Sequence, residues 1–253
     1  MSTFFSYESP YRTGHFIELS MFEYIAPFVL LLGLFVLLLY VRQDLRSNLV
    51  KQRRLELVVG TIFTVLYLSH YILRFRLYGF DTIILPFQLC GISMFFAILL
   101  LFTNNKTIHA FVLYTGVAGG LISLFTPIIG YNSEYYRYYQ FYFAHILLIL
   151  TPLYFLLVKD YYPSKRSTVQ ALMVMQGLIL FMGVFNYMYG TDYMFVFVDP
   201  TKLAKFPSIA NFGGIPYYLI PGHLAVYVAF YLMYKGSTFL EQLHVRELQY
   251  KNT

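Results

Sequence analysis

The chain has 253 residues, of which 58% are hydrophobic and only 12% are charged. Soluble domains carry roughly 25% charged residues, so this composition excludes an ordinary soluble enzyme and indicates an integral membrane protein. The net charge of +6 points to membrane topology and anionic lipid rather than to nucleic acid, because no soluble basic domain is present to hold a polynucleotide.

Seven apolar stretches are long enough to be membrane helices, which need about 20 residues each. In chain order they are Glu23–Tyr40, Leu55–Leu73, Ile83–Phe102, Ile108–Ile129, Tyr138–Val158, Val169–Tyr187 and Pro216–Tyr234. We therefore predict an all-α polytopic membrane protein, a seven-transmembrane-helix bundle that forms one domain over residues 1–253. Residues 1–22 lack the basic region of a signal peptide, and we expect them to lie at the membrane interface.

Lysine and arginine are unevenly distributed between the segments predicted to lie on the two sides of the membrane. If the N-terminus is outside, the inner segments hold twelve of these residues and the outer segments hold six. The positive-inside rule then predicts an N-out, C-in, multi-pass protein of the cell membrane. The basic run from Arg42 to Arg54 is more typical of a topology signal that contacts anionic lipid than of a partner-binding site.

Polar side chains within the spans fall near one end of the predicted bundle. Buried polar groups in a membrane are costly and usually functional, so we predict one outward-opening pocket at that end. Its candidate residues are His70, Gln88, Cys90, His145, Asn186 and His223.

Cys90 is the only cysteine, which excludes an intramolecular disulfide. A single cysteine is commonly a small buried hydrophobic residue. The functional interpretation is a thiolate nucleophile, which requires a nearby base or a positive dipole. Gln88 and Cys90 lie about 200° apart on an ideal helix, so both line one cavity only if the first turn after Pro86 is irregular.

Three histidines share this region. His145 is either a satisfied core residue or the base that pairs with Cys90, and His223 is either a competing base or a donor that positions substrate. His70 lies beside Arg74 and Arg76. We interpret these three as a basic rim for phosphate, with snorkelling to the interface as the alternative.

Asn186 ends the sixth span, where its amide either holds a substrate carbonyl or caps the helix end before Gly190. The connection at residues 188–215 is the longest in the chain. Such a loop is either a lid over the pocket or an interfacial segment that places its aromatic side chains among lipid headgroups.

Motifs for other chemistries are missing from the sequence. Cysteine and histidine are not spaced as a zinc site, and no phosphate loop, Rossmann fingerprint or nucleophile elbow occurs. We therefore predict neither a metal nor a cofactor.

Short motifs in four regions resemble a known membrane family. They are Leu85-Pro86-Phe87-Gln88-Leu89-Cys90, His145, Asn186 with the run Gly190–Phe195, and Gly214-Ile215-Pro216-Tyr217-Tyr218. Together they resemble the YwaF-like bacterial seven-helix membrane proteins, a family that includes the eukaryotic transmembrane protein 164. Relatives often carry histidine at the position of Gln88. The resemblance implies a phospholipid acyltransferase with Cys90 as the acyl-accepting nucleophile and His145 as its base.

Our leading prediction is a membrane-embedded lipid acyltransferase, or a related thioester-forming lipid enzyme, that acts on a phospholipid or acyl-chain substrate. Gln88 and Asn186 would hold carbonyl oxygens, His223 would position the acceptor, and His70, Arg74 and Arg76 would meet phosphate. The first alternative is a non-enzymatic protein that binds or transports a small ligand in the same pocket. The second is an assembly partner for another membrane protein.

Overall fold

The structure is a computed structural model that describes residues 3–5, 19–80, 85–127, 129–196, 217 and 219–251. The described residues form seven α-helices and no strand. The helices are α1 (Met21–Ser47), α2 (Leu49–Tyr78), α3 (Leu89–Thr103), α4 (Lys106–Phe125), α5 (Tyr136–Val158), α6 (Lys165–Tyr189) and α7 (Leu219–Lys251). Short 3-10 turns occur at Thr3–Phe5 and Tyr193–Phe195. The protein is therefore an all-α, polytopic membrane protein.

Five of these helices are long and apolar enough to cross a membrane: α1, α2, α4, α5 and α6. Helix α3 is apolar but has only 15 residues. Helix α7 has 33 residues, yet Pro221, Gly222, His223 and several tyrosines dilute its apolar segment. The number and order of the predicted helices are confirmed, whereas seven membrane crossings and the N-out orientation stay predictions.

Most helix boundaries differ from the predicted spans by a few residues, and three of the differences have a local reason. Helix α3 begins at Leu89 rather than Ile83, because Pro86 lacks an N–H group and disfavours helical geometry in the residue before it. Helix α4 ends at Phe125 instead of Ile129, since Pro127 follows. Helix α7 continues to Lys251, well past Tyr234, because polar residues there are good helix formers that no apolar pattern reveals.

The helix N-termini are capped as their sequences suggest. Ser20 and Glu23 form a reciprocal capping box at the start of α1, which satisfies two backbone donors at once. Asn48, Asn105 and Ser164 accept backbone N–H bonds at the starts of α2, α4 and α6. These caps fix the points at which each connection turns into a helix.

The chain divides into two compact units, which we describe separately. Unit 1 comprises residues Met1–Ile84 and Ile92–Tyr161, and unit 2 comprises Leu85–Gly91 and Tyr162–Thr253. Helix α5 is the centre of unit 1, and most of its residues are buried. It packs against α1, α2 and α4.

Two glycines allow α4 and α5 to approach closely. A Cβ atom at Gly120 would lie 2.6 Å from the Ile149 side chain, and one at Gly116 would lie 3.1 Å from the Leu148 backbone oxygen. The two glycines are four residues apart and therefore lie on one face of α4. Small residues at this spacing are typical of tightly packed membrane helices. The close packing fixes the position of α5 within unit 1.

A buried carboxylate joins three helices at the other end of α5. Glu56 is only 1% exposed. Its Oε1 atom accepts hydrogen bonds from Tyr154 (3.0 Å) and Lys159 Nζ (2.6 Å), and its Oε2 atom accepts from Asn104 Nδ2 (2.8 Å) and Arg53 Nη1 (3.3 Å). We call these five residues the Glu56 cluster.

Further hydrogen bonds connect the members of the Glu56 cluster to one another and to nearby backbone carbonyls. Lys159 also donates to Asn104 Oδ1, and the Arg53 guanidinium donates to the Leu101 and Phe102 carbonyls. Tyr161 donates to the Asn104 carbonyl at 3.0 Å, and burial together with the Glu56 carboxylate raises the pKa of Tyr161. Each charge thus has a partner of opposite sign or a hydrogen-bond acceptor, as a stable buried network requires.

Candidate functional site

His145 lies on α5 in the interior of unit 1 and is 5% exposed. Its Nδ1 atom is 2.8 Å from the Phe141 carbonyl oxygen. Because a carbonyl can only accept, the Nδ1 atom carries the hydrogen, and Nε2 is left with the lone pair. The Phe141 ring lies against the imidazole, with centroids 4.2 Å apart. These contacts orient a neutral histidine that can act as a base through Nε2.

Helix α2 brings His70 and Arg74 to the same end of unit 1. The two helices are joined there by a 2.7 Å hydrogen bond between the hydroxyl groups of Ser69 and Tyr136. His70 interacts electrostatically with Arg74, Arg137 and His145. We call His70, Arg74, Arg137 and His145 the histidine–arginine cluster. All four residues belong to unit 1, and the predicted common site of His70, Arg74 and His145 stays a prediction.

Arg137 is half-buried in the first turn of α5, and neutral groups hold it in place. Its Nη1 atom donates to Oε1 of Gln140, and its guanidinium carbon lies 5.4 Å from the centre of the Phe141 ring. Gln140 is buried, and its Nε2 atom donates to the Leu66 carbonyl at 3.1 Å. Two hydrogen bonds, from Arg137 to Gln140 and from Gln140 to the Leu66 carbonyl on α2, therefore hold the cation in a position from which it acts electrostatically on His70 and His145.

In unit 2, Asn186 organises the turn that follows α6. Its Nδ2 atom donates to the carbonyls of Tyr193 (2.8 Å) and Val196 (2.5 Å). Its Oδ1 atom accepts from the Thr191 hydroxyl (2.8 Å) and the Tyr193 N–H (3.0 Å). The side chain is 2% exposed, and all four of its usual hydrogen bonds are made within the protein. The helix end itself is made by Gly190, at φ 63°, so Asn186 does not cap α6.

The turn held by Asn186 is strained. Met194 and Phe195 both have φ near 55°, a left-handed conformation that is uncommon for residues with a side chain. The Met194 N–H donates to Oε1 of Gln88 at 2.9 Å. Gln88 lies before α3 rather than on it, so the first turn after Pro86 is irregular and the 200° separation from Cys90 does not apply.

Aromatic side chains surround this turn in unit 2. The Phe87 ring lies 5.1 Å from Phe185 and 5.6 Å from Tyr193, with near-perpendicular planes. Such edge-to-face contacts add to the energy of apolar burial. The motif segments that carried the family resemblance, around Gln88 and around Asn186, are therefore packed together inside one unit.

The remaining predicted site residues, Cys90, His223 and Arg76, lie on three different helices. Cys90 is half-buried in the first turn of α3 and belongs to unit 2. His223 lies on α7, and its Nδ1–H donates to the Leu219 carbonyl at 2.7 Å. Arg76 is exposed in the last turn of α2. The pairing of Cys90 with His145 joins residues of different units and stays a prediction.

Two predictions fall partly or wholly outside the described residues. They are the interfacial segment 1–22, most of which is not described, and the proposed lid at 188–215, of which residues 197–215 are not described. Within the described ranges, no group of three His, Cys, Asp or Glu side chains could hold a metal ion.

Sequence reasoning missed Arg137, Gln140 and Glu56. Arg137 was counted only as a loop charge, although it begins an apolar helix four residues before Phe141 and eight before His145, on the same helical face. Glu56 is an acidic residue placed between Leu55 and Leu57 at the start of a span. A charge inside an apolar segment was the available signal in both cases.

The chain was compared with known families, curated proteins and solved structures. A family model described as the TMEM164 family matches residues 13–234. No curated protein and no solved structure shows a significant match. The matched range covers most of the chain and includes every predicted site residue. The chain therefore belongs to the TMEM164 family.

Proposed function

We propose that the protein is a membrane-embedded lipid acyltransferase, with Cys90 as nucleophile and His145 as base. The observation that carries the proposal is the orientation of His145, whose Nδ1–H is held by the Phe141 carbonyl so that Nε2 can accept a proton. Family membership, and the phospholipid acyltransferase activity that the resemblance implies, support the same chemistry. The proposal also includes three further predictions. The protein is a YwaF-like bacterial member of the family, it crosses the membrane seven times with its N-terminus outside, and it lies in the cell membrane.

Cys90 is suited to nucleophilic attack by its position on α3. It is the second residue of that helix, where the positive end of the helix dipole favours a thiolate over a thiol. The side chain is half-buried rather than sealed in the core. A reactive cysteine requires both an electropositive environment and access for the substrate.

The proposed reaction proceeds in two steps. His145 Nε2 takes the thiol proton, and the Cys90 sulfur attacks an ester carbonyl of a phospholipid. The ester C–O bond breaks, the leaving alkoxide takes the proton from His145, and the acyl chain remains as a thioester. An acceptor hydroxyl then gives its proton to His145 and attacks the thioester, and the Cys90 thiolate leaves.

The other predicted residues receive adjusted roles in this proposal. Asn186 acts as a positioning residue, because its hydrogen bonds to residues 191–196 leave its amide committed to the turn. The exposed Gln88 side chain acts through the same turn. His223 orients the acceptor, Arg74 and Arg76 meet substrate phosphate together with His70, and the basic segment Arg42–Arg54 contacts anionic lipid.

The intact mass of the protein after incubation with phospholipid tests the proposal. The wild type should gain the mass of an acyl chain, hydroxylamine should remove it, and Cys90→Ala should gain nothing. His145→Asn should form the adduct at least about 100-fold more slowly, which is the usual contribution of a general base. His244→Gln is the matched histidine control, because His244 lies on the distal part of α7 and should leave the rate unchanged.

The alternative to acyl transfer is ligand binding or transport without a chemical step. An adduct of equal extent on Cys90→Ala would contradict the role of the thiol. Phospholipid binding with no adduct on the wild type, even with short-chain lipid in large excess, would favour the alternative.

A further inference from the structure

Arg137 carries a charge that no described carboxylate neutralises. Its contacts are the neutral Gln140 amide and the Phe141 ring. The acidic side chains near the start of α5 are engaged elsewhere or exposed: Glu23 accepts from Ser133 and Ser20, and Glu134 lies on the surface. Taking an uncompensated cation partly out of water is costly unless an anion accompanies it.

Arg137 shares its surroundings with a second arginine and two histidines. Arg74 and Arg137 both act electrostatically on His70 and on Tyr71, and Arg137 also acts on His145. Helix α5 begins at Tyr136 with no acidic residue in its first turn and no side-chain cap. Its unsatisfied N–H groups and positive dipole therefore add to the same field.

The Arg137 side chain is also held in one orientation. Gln140 fixes one edge of the guanidinium, and the Phe141 ring fixes its plane. Gln140 is in turn anchored to the Leu66 carbonyl on α2. A guanidinium fixed in this way is preorganised for the paired oxygens of a phosphate group, since less entropy is lost when the hydrogen bonds form.

We propose that Arg137, with Arg74 and His70, forms a phosphate-binding subsite in unit 1, occupied by the phosphodiester of a phospholipid. The subsite rests on the proposed function in that it would hold the headgroup end of the acyl donor or acceptor. Binding itself requires neither Cys90 nor a thioester. Gln140 serves as the positioning residue that orients Arg137.

Calorimetric titration of the purified protein tests the subsite. The titrants are dihexanoylphosphatidylcholine, dihexanoylglycerol, which has the same chains without phosphate, and inorganic phosphate. The experiments use Cys90→Ala protein, so that no acyl transfer can occur. The phospholipid should bind, and the diacylglycerol should bind at least about tenfold more weakly.

Arginine variants locate the binding. Arg137→Gln should weaken phospholipid binding by about 30-fold, as expected when one partner of a hydrogen-bonded charge pair is removed. Arg137→Lys should recover part of the loss, because the charge returns without the two-pronged geometry. Arg166→Gln is the matched control: it removes an exposed arginine from the first turn of α6 and should leave the dissociation constant unchanged.

The outcomes separate the subsite from the proposed enzyme. Arg137-dependent binding of inorganic phosphate as tight as that of the phospholipid would keep the anion site but make free phosphate its occupant. Equal binding to Arg137→Gln and Arg166→Gln protein, equal binding of the diacylglycerol, or no binding of any titrant would overturn the subsite. If it is overturned while the wild type still forms a thioester on Cys90, acyl transfer stands without this headgroup site.

Discussion

The two ends of unit 1 contain buried charge in two different arrangements. In the Glu56 cluster, one carboxylate accepts four hydrogen bonds, two of them from cationic side chains. In the histidine–arginine cluster, two arginines lie near two histidines, and Arg137 has no described carboxylate partner. The first arrangement is complete within the protein, whereas Arg137 in the second has no carboxylate partner among the described residues.

This difference distinguishes buried charges that stabilise the fold of a membrane protein from buried charges that are suited to binding a ligand. A complete buried network holds helices together, and removing a member leaves the others unpaired. A fixed cation without a carboxylate partner, such as Arg137, gains energy when a ligand supplies the anion, which suits it to binding. Helix α5 contributes to both clusters, and its rigid packing against α4 keeps them in place.

The largest expected effect on stability is that of Glu56→Ala. This change leaves Lys159 buried without its carboxylate, and we expect a loss of about 3–5 kcal/mol. Thermal unfolding in detergent, followed by circular dichroism, measures the loss. Glu134→Ala removes an exposed acid from the same unit and should change stability by less than about 0.5 kcal/mol. Equal melting temperatures for the two variants would refute a structural role for the Glu56 cluster.

Gly120→Val should also destabilise unit 1, because the added side chain would overlap Ile149, which a Cβ atom already approaches to 2.6 Å. Overpacking of this kind costs about 1–3 kcal/mol. It would also displace α5 beneath His145 and slow thioester formation. Gly33→Ala is the control, since a Cβ atom there meets nothing within 4 Å. An unchanged melting temperature for Gly120→Val would mean that α4 and α5 are not held at this contact.

Asn186→Ala tests whether a third polar set, in unit 2, behaves like the Glu56 cluster. It would remove the acceptor of the Tyr193 N–H and one donor to each of the Tyr193 and Val196 carbonyls, and we expect a loss of about 1–2 kcal/mol. The strained Met194–Phe195 turn should open first. Hydrogen exchange at the Tyr193 N–H should quicken strongly, with little change in α5. Unaltered exchange there would show that other contacts hold the turn.

Arg137→Gln should have the smallest effect on stability. Removing a cation that lacks a carboxylate partner costs no ion pair, so the free energy of unfolding should change by less than about 1 kcal/mol. Phospholipid binding should nevertheless fall sharply. A melting temperature lowered as far as that of Glu56→Ala would make Arg137 a structural residue.

The sequence predicted the helical class and the helix order well, because hydrophobic runs of bilayer length are a strong signal. Helix ends such as Leu89 and Phe125 were set by nearby prolines, which a hydropathy average does not resolve. The polar end of α7 extends beyond Tyr234 because helix formation there does not depend on apolar residues.

The candidate site as a whole stays a prediction. Depth alone placed His70 and His145 at one end of the predicted bundle, since residues on neighbouring antiparallel helices meet when their distances from the membrane surface match. The roles of Asn186 and Arg137 depend on side-chain partners that spacing does not specify. Asn186 uses its amide on the turn at residues 191–196, and Arg137 is positioned by Gln140, which no motif singled out.

The most direct test of this account is the thermal shift produced by dihexanoylphosphatidylcholine on wild-type and Arg137→Gln protein. Ligand that binds the folded state raises stability according to its concentration and affinity. We expect the two proteins to melt at nearly the same temperature without lipid, and only the wild type to be stabilised at a lipid concentration near its dissociation constant. Equal stabilisation of both proteins, or a large loss of stability in Arg137→Gln without lipid, would contradict the distinction between the two clusters.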